Sequence, residues 1–254
     1  MIIIVNKIYE KLKEIQKLVE TEINITVKSK SASELVTNLD LLIETQLIAF
    51  LQDIDNIPCL SEETNILVSG SNYWVIDPID GTTNFIHGYP NYCISIAKVE
   101  NNNTIFGIVY NMATDECFYS IKNEGSFLIQ KSTGYTKNIS VSKTDDIKNS
   151  LIGFGCPYNK DKTEKLFTVA NNILKLCRDL KRNGPASLDL CYVACGRLDA
   201  YFELDLKEWD FKAGKLILEE AGGKVTNWNG KIITTGTNNI LATNNILNLV
   251  EYTK

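Results

Sequence analysis

The residues WVIDPIDGTTNF, positions 74 to 85, set two carboxylates, Asp77 and Asp80, around Pro78, with Gly81-Thr82-Thr83 directly behind them. Pro78 fixes its own φ and lacks an N–H, so the chain is expected to leave its strand after YWVI and turn here. In mixed sheets the loops at the carboxyl ends of strands are where ligands sit. On such a turn both carboxylates can face one space, with the carbonyl of Ile79 free to join them. Oxygen ligands of this kind suit a hard cation such as Mg²⁺. Gly81 and Thr82 can open a helix whose backbone N–H groups attract an anion. A cation site beside an anion site is what a metal-assisted phosphate reaction requires. The same letters also suit an ordinary Asp-Gly turn or a helix cap, and on these twelve residues both readings stand.

Two further acidic stretches bear on the choice. SEET places Glu62 and Glu63 shortly before the strand that delivers Asp77, and WDFKAG places Asp210 in the first turn of a late helix. Taken singly, the glutamates read as a solvated loop pair. Asp210 alone reads as a helix N-terminal charge, worth about 0.3–1 kcal/mol against the dipole. Together with Asp77 and Asp80 they offer carboxylates from three separate places in the chain.

The elements that must position them follow from apolar spacing. KIYEKLKEIQKLVE carries Ile8, Leu12, Ile15 and Leu18 on one helical stripe. DLLIETQLIAFLQDI puts Leu41, Thr45, Ile48 and Leu51 on another, with Leu42 beside it, and a polar, turn-like segment lies between the two helices. YCISIAKV, TIFGIVY, ECFYSI and SFLIQK, separated by polar turns, predict an antiparallel meander over 92–131. SLIGFG predicts a strand, and residues 162–180 a helix with Leu166, Val169, Ile173 and Leu176 inward. ASLDLCYVACGRLDAYFEL reads as helix, glycine stop at Gly196 and strand, and a helix over WDFKAGKLILEE ends near Gly222. Asn229-Gly230 is a strong hairpin signal. The expected organisation is an α+β part, residues 1–145, followed by an α/β part, 146–254.

Composition narrows the function classes. The chain has 254 residues, 26 Lys+Arg and 31 Asp+Glu, for a net charge of −5. Without a basic block, binding of nucleic acid or an anionic membrane by charge is not expected. No stretch reaches the ~20 apolar residues of a membrane span, and the opening MIIIV is too short for a signal-peptide core. The seven cysteines are scattered and form no C-x-x-C pair, and there is one histidine. They read as reduced thiols of a cytoplasmic protein rather than a zinc set.

SEE, DPIDGTTNF and WDFKAGKLILEEAGG together resemble the inositol monophosphatase family of Mg²⁺-dependent, lithium-sensitive phosphatases, its bacterial branch in particular. The likeness runs from ELVTNLD (34–40) to EAGGKV (220–225). It implies a layered α-β-α-β-α sandwich, the sugar phosphatase fold, with an antiparallel sheet in the N-terminal half and a mixed sheet in the C-terminal half. It implies a homodimer that hydrolyses a phosphate on a small polyol such as myo-inositol 1- or 4-phosphate. By resemblance, Glu62, Asp77, the Ile79 carbonyl, Asp80 and Asp210 hold two or three Mg²⁺ ions. Thr82 and Glu62 activate the attacking water, with Asp80 in the same catalytic group, and the amides of Gly81 and Thr82 cradle the phosphate. Gly184, Pro185, Ala186, Glu203 and Asp210 face the substrate, while Lys30, Asp40 and Glu63 lie near the site. Relatives also act on 3′-phosphoadenosine 5′-phosphate, fructose 1,6-bisphosphate or NADP⁺, and some bacterial members associate with the transcription machinery.

The chain departs from the family pattern at Glu34, where Asp is usual, at Pro185, where Ser or Thr is common, and in GFGCPY (153–158). Arg182 and Lys181 read as a solvated helix-edge pair, and Trp209, Cys191, Tyr192 and Cys195 as packing residues. So many like charges around one pocket repel one another without cations. The loop 61–85 is therefore expected to fold weakly without metal, and limited proteolysis with and without Mg²⁺ should show protection of that loop by the ion.

Overall fold

The computed structural model describes residues 2–22, 25–29, 35–64, 68–130, 135–234 and 236–253. Lys30 and Glu34 lie outside them. Helix α1 (Ile2–Thr21) leads to a small antiparallel pair, β1 (Val27–Ser29) and β2 (Leu35–Thr37), and then to α2 (Asn38–Ile54). Next come β3 (Cys59–Ser61), β4 (Tyr73–Asp80), the one-turn α3 (Thr82–Ile86) and five further strands. These are β5 (Cys93–Glu100), β6 (Asn103–Asn111), β7 (Glu116–Ile121), β8 (Ser126–Gln130) and β9 (Thr136–Ile139). They form a seven-stranded sheet in sequence order, antiparallel except for the parallel β3–β4 edge.

The second half runs β10 (Leu151–Phe154), α4 (Thr163–Leu174), β11 (Asp179–Lys181), α5 (Ala186–Ala194) and β12 (Ala200–Leu204). It ends with α6 (Glu208–Glu220), β13 (Lys224–Thr226) and β14 (Asn239–Thr243). Its mixed sheet has the order β11-β10-β12-β14-β13.

Three apolar clusters show the layering. On one face of the large sheet, Trp74, Ile76, Ile94, Ile96 and Phe106 meet Ile8, Leu12 and Ile15 of α1 and Ile43 and Leu47 of α2. On its other face, Val75, Ala97 and Val109 meet α5 and α6, which also cover Tyr201 and Ala242 of the mixed sheet. Beyond that sheet, α4 packs Leu166, Val169 and Ile173 on Ile152 and Phe202. The order is α-β-α-β-α, with α5 and α6 as the shared middle layer. Close approach of that layer depends on glycine. A Cβ on Gly107 would lie 2.8 Å from the Ala213 carbonyl oxygen of α6.

Several local expectations are corrected. Pro78 does not end its strand: β4 continues through Asp80. Asp77 faces Ser95 and Asp80 faces Cys93, so three steps on β4 match two on β5, a bulge of one extra residue. The bulge absorbs the proline, whose missing donor would otherwise leave a gap in a regular ladder. In α2 the inward stripe is Leu39, Asp40, Ile43, Glu44, Leu47 and Leu51. Leu41 and Leu42 are instead 47% and 39% exposed. Two buried acids occupy positions that an apolar search skips. Helix α4 stops at Leu174, and Asp179–Lys181 becomes the edge strand β11, leaving Leu176 outside the core. Asn229-Gly230 closes only the single bridge Thr226↔Ile232, because β13 takes its ladder from β14.

Gly107→Ala should force α6 away from β6. The expected cost of such overpacking is about 1–3 kcal/mol, read as a lower urea midpoint with an unchanged m-value.

Candidate active site

The bulge decides which way the two central acids point. Side chains on a strand alternate between faces, so residues 77 and 80, an odd number apart, would face opposite ways in a regular strand. With one residue inserted, both lie opposite Ser95 and Cys93, two apart on β5, and so share one face. That face is the α5–α6 side, where Val75 and Cys93 also lie, while Ile79 is sealed into the α1–α2 core.

Neighbouring backbone brings the other acids. The Glu62 N–H donates to the Ile76 carbonyl at 3.3 Å, which sets Glu62 beside Asp77. Asp210, at the third position of α6, accepts the Lys207 N–H at Oδ2 (2.6 Å). The Ser187 hydroxyl donates to the Asp210 carbonyl at 2.8 Å, joining the starts of α5 and α6. Burial raises Asp77 well above the usual carboxylate range, and the charges of Glu62, Asp80 and Asp210 raise it further. Asp80 is pushed up to about 7, by burial first and then by the charge of Glu62, against the Ser187 bond that favours its ionised form. Four of the expected ligand side chains thus act on one another.

Among the described residues no three acidic, thiol or imidazole groups are already gathered into an ion-holding set. The donors nevertheless fit a hard cation. Asp77 Oδ1 is sealed from solvent and has no hydrogen-bond partner, an orphan of the kind a cation would satisfy. The Ile79 carbonyl accepts the Thr82 hydroxyl at 3.0 Å and has a second lone pair to offer.

Behind Asp80 the chain turns through Gly81, whose φ of 93° is open to glycine at little cost. A Cβ there would stand 3.2 Å from the Asn91 carbonyl oxygen. Thr82 lies 3.3 Å from Asp40 Oδ1, and Asp40 is anchored by the Thr37 N–H (2.8 Å) and Thr37 hydroxyl (2.5 Å) in a capping box. Burial raises Asp40 and these hydrogen bonds pull it back.

Asp80, Gly81 and Asn84 from the first half of the chain line one cleft together with Arg182, Gly184, Ala186, Glu203 and Asp210 from the second. Glu203 is buried, takes a hydrogen bond from the Tyr201 hydroxyl, and is raised by burial and by Asp210 and Asp80. Gly155 makes room for it: a Cβ would fall 2.1 Å from the Glu203 carboxyl carbon. Pro185 is the N-cap of α5 and makes no side-chain cap. Asp80 Oδ2 takes over, accepting the Ser187 N–H at 2.8 Å. A residue from the large sheet thereby caps a helix of the middle layer.

The structure brings together Glu62, Asp77, Asp80, Asp210, Thr82, Gly81, Asp40, Gly184, Pro185, Ala186 and Glu203. Glu63 is tied through its backbone N–H to Glu44 at 2.8 Å. Lys181 pairs with Asp179 on the surface, and Arg182, exposed as read, borders the cleft; the two stand at the end of strand β11 and just after it rather than on a helix edge. Asn84, Glu44, Ser187 and Asp189 escaped the sequence reading. Asn84 Nδ2 donates to the carbonyls of Asn91 (2.7 Å) and Asn183 (2.8 Å), locking the glycine turn to the 183–185 loop. Its signal was its place inside the DPIDGTTNF motif.

The fold and this acidic cleft define a metal-assisted phosphatase scaffold. The sequence matches the inositol monophosphatase family over residues 3–253, and the chain belongs to that family. It is 36% identical over 205 residues to the Nus factor SuhB of Pasteurella multocida, covering 79% of this chain and 74% of the relative. It is 35% identical over 228 residues to inositol monophosphatase 2 of Solanum lycopersicum, covering 86% and 84%. The crystal structure of the extragenic suppressor protein suhB from Bartonella henselae superposes with a TM-score of 0.90 at 28% identity, covering 99% of this chain and 98% of that one. No described helix is long and apolar enough to cross a membrane.

Asp80 and Asp189 both rest near 7 in the fold, mainly through burial, against about 3.9 for an unfolded Asp. Between these values the folded chain holds protons that the unfolded chain has lost, so stability falls as pH rises. Metal-free protein should therefore lose thermal stability as pH rises from about 4 to about 7. Asp189→Asn should flatten that slope in a melting series across this range.

Proposed function

We propose that this protein hydrolyses a small phosphate monoester in a Mg²⁺-dependent reaction, with myo-inositol 1- or 4-phosphate as the substrate and inositol and phosphate as products. Support comes chiefly from one observation: the bulged strand turns Asp77 and Asp80 to one face, where Glu62 acts on both and Asp210 on Asp77, beside the glycine turn at Gly81. Glu62, Asp77, the Ile79 carbonyl, Asp80 and Asp210 would hold the cations. A divalent cation there supplies Lewis-acid charge to the phosphoryl and leaving oxygens and makes water acidic enough to attack near neutral pH.

The chain's own groups do the rest. The amides of Gly81 and Thr82 receive the phosphate oxygens. The one hydroxyl hydrogen of Thr82 is shared between the Ile79 carbonyl and Asp40, which leaves a lone pair of Thr82 Oγ1 to accept from water, while Glu62 orients that water from the other side. Water oxygen bonds to phosphorus as the ester P–O bond breaks; the attacking water gives up one proton and the departing alkoxide takes one up, so that water is divided between phosphate and alcohol. Glu203 accepts hydrogen bonds from polyol hydroxyls, and the 184–186 loop closes that side of the cleft. With no hydroxyl or N–H at Pro185, selectivity falls to Glu203 and Arg182. A cytoplasmic homodimer is part of this reading.

A second reading rests on the name Nus factor carried by the SuhB relatives: association with the transcription machinery, through the surface rather than the cleft. If Asp80→Asn abolishes turnover yet keeps the biological effect, that second role carries the effect.

Phosphate release should require Mg²⁺, be inhibited by Li⁺, and be faster on inositol 1-phosphate than on fructose 1,6-bisphosphate, 3′-phosphoadenosine 5′-phosphate or NADP⁺. Asp210→Asn should lower kcat by roughly 100-fold or more, the scale for losing a group aimed at transition-state charge. Equal turnover with and without Mg²⁺ would rule the reaction out.

A further inference from the structure

Helix α2 turns two acids inward at Asp40 and Glu44, four positions apart and on one face. Asp40 is explained by its capping box and by Thr82. Glu44 is only 1% exposed and is not among the residues that line the cleft. Its two oxygens are both committed. Oε2 accepts the Glu63 N–H at 2.8 Å and Oε1 accepts the Thr64 N–H at 2.9 Å. These are successive amides directly after Glu62, in the turn that follows β3. Burying a carboxylate is costly unless it is fully hydrogen-bonded. The two amides satisfy it, and in return two backbone positions are fixed to a helix that is itself packed on β4.

The Glu62 N–H is itself tied to the Ile76 carbonyl. The Glu62 carboxylate shares a hydrogen bond with Asp77 among further like charges, so where it points depends on how its backbone is held. Holding it there requires a rigid backbone on both sides. Ser61 in β3 supplies one side by pairing with Ile76, and Glu44 supplies the other.

We infer that Glu44 is a positioning residue: by binding the backbone N–H groups of Glu63 and Thr64 it fixes the turn that holds Glu62 against Asp77, and so sets the cleft's affinity for a divalent cation. The inference rests on the reading that the acidic cleft holds such a cation. Groups that orient a metal ligand typically govern affinity by roughly 10- to 100-fold. In Glu44→Gln one of the two amides would face an NH₂ donor instead of an oxygen, and in Glu44→Asp the shorter side chain cannot span both.

The test is a calorimetric titration of the full-length, substrate-free chain with MgCl₂, paired with turnover as a function of Mg²⁺. Glu44→Gln and Glu44→Asp should each raise the Mg²⁺ Kd, and the Mg²⁺ concentration for half-maximal turnover, by roughly 10- to 100-fold. Turnover at saturating Mg²⁺ should return close to wild type, and protease cleavage near residues 62–64 should increase in the metal-free variants and be suppressed by high Mg²⁺. Gln16→Met provides the structural control. Gln16 is buried in α1 against the Met112 carbonyl, and its loss should lower the melting temperature without moving the Mg²⁺ Kd. An unchanged Kd in both Glu44 variants overturns the inference, as does a loss of kcat that no Mg²⁺ concentration restores. Absence of Mg²⁺ binding by the wild-type chain would instead overturn the cation reading on which it stands.

Discussion

If the strand ran from Asp77 to Asp80 without its bulge, pleating would send the two carboxylates to opposite faces of the large sheet, one of them into the aliphatic packing of α1 and α2. The bulge reconciles three demands on a short segment. Pro78 is accommodated, Ile79 stays in the core, and both acids reach the middle layer. Everything near the cleft follows from that concentration of charge. Burial alone would discourage ionisation of either aspartate; Glu62 makes it less favourable still for both, and Asp210 does so for Asp77. A site built this way is strained toward the neutral state and gains most from a cation.

Backbone amides, rather than lysines or arginines, hold the acids in place. Asp40 and Asp210 each bond back to the amide that begins their own helix, Asp80 caps α5, and Glu44 holds the turn after Glu62. The device suits a cation site. An ammonium or guanidinium partner would neutralise the charge that the ion needs, whereas an amide orients a carboxylate and leaves its full charge in place. Arg182, which lines the cleft, faces the Glu203 side instead.

Much of this was legible in the sequence where local rules and tertiary demands agree. The meander β5–β8, the glycine stop at Gly196 and the first-turn position of Asp210 follow from alternation, turn letters and capping. The failures share a cause. The stripe of α2 was misplaced because Asp40 and Glu44 occupy core positions for the sake of the cleft, and polar residues are invisible to an apolar search. Strand β4 was cut short because a proline in a strand reads as an ending, while a bulge that absorbs it is set by pairing with β5. The tail of α4 was assigned to a helix because nothing local shows that β10 has a free edge for Asp179–Lys181. Asn84 and Ser187 depend on neighbours about a hundred residues away, and no spacing within either segment reveals them.

The shared middle layer has a consequence for how the chain is made. The large sheet is complete once Ile139 has been synthesised, but the face bearing Val75, Ala97, Val109 and Phe118 is covered only by α5 and α6, which end at Glu220. During translation, finished strands must therefore wait with an apolar surface bare while some eighty more residues emerge, from Ser140 to Glu220. A nascent chain in that state is a natural client for chaperones and prone to self-association. The first half is thus a scaffold finished early and closed late, by the same helices that bring Asp210 and the 184–186 loop to the cleft.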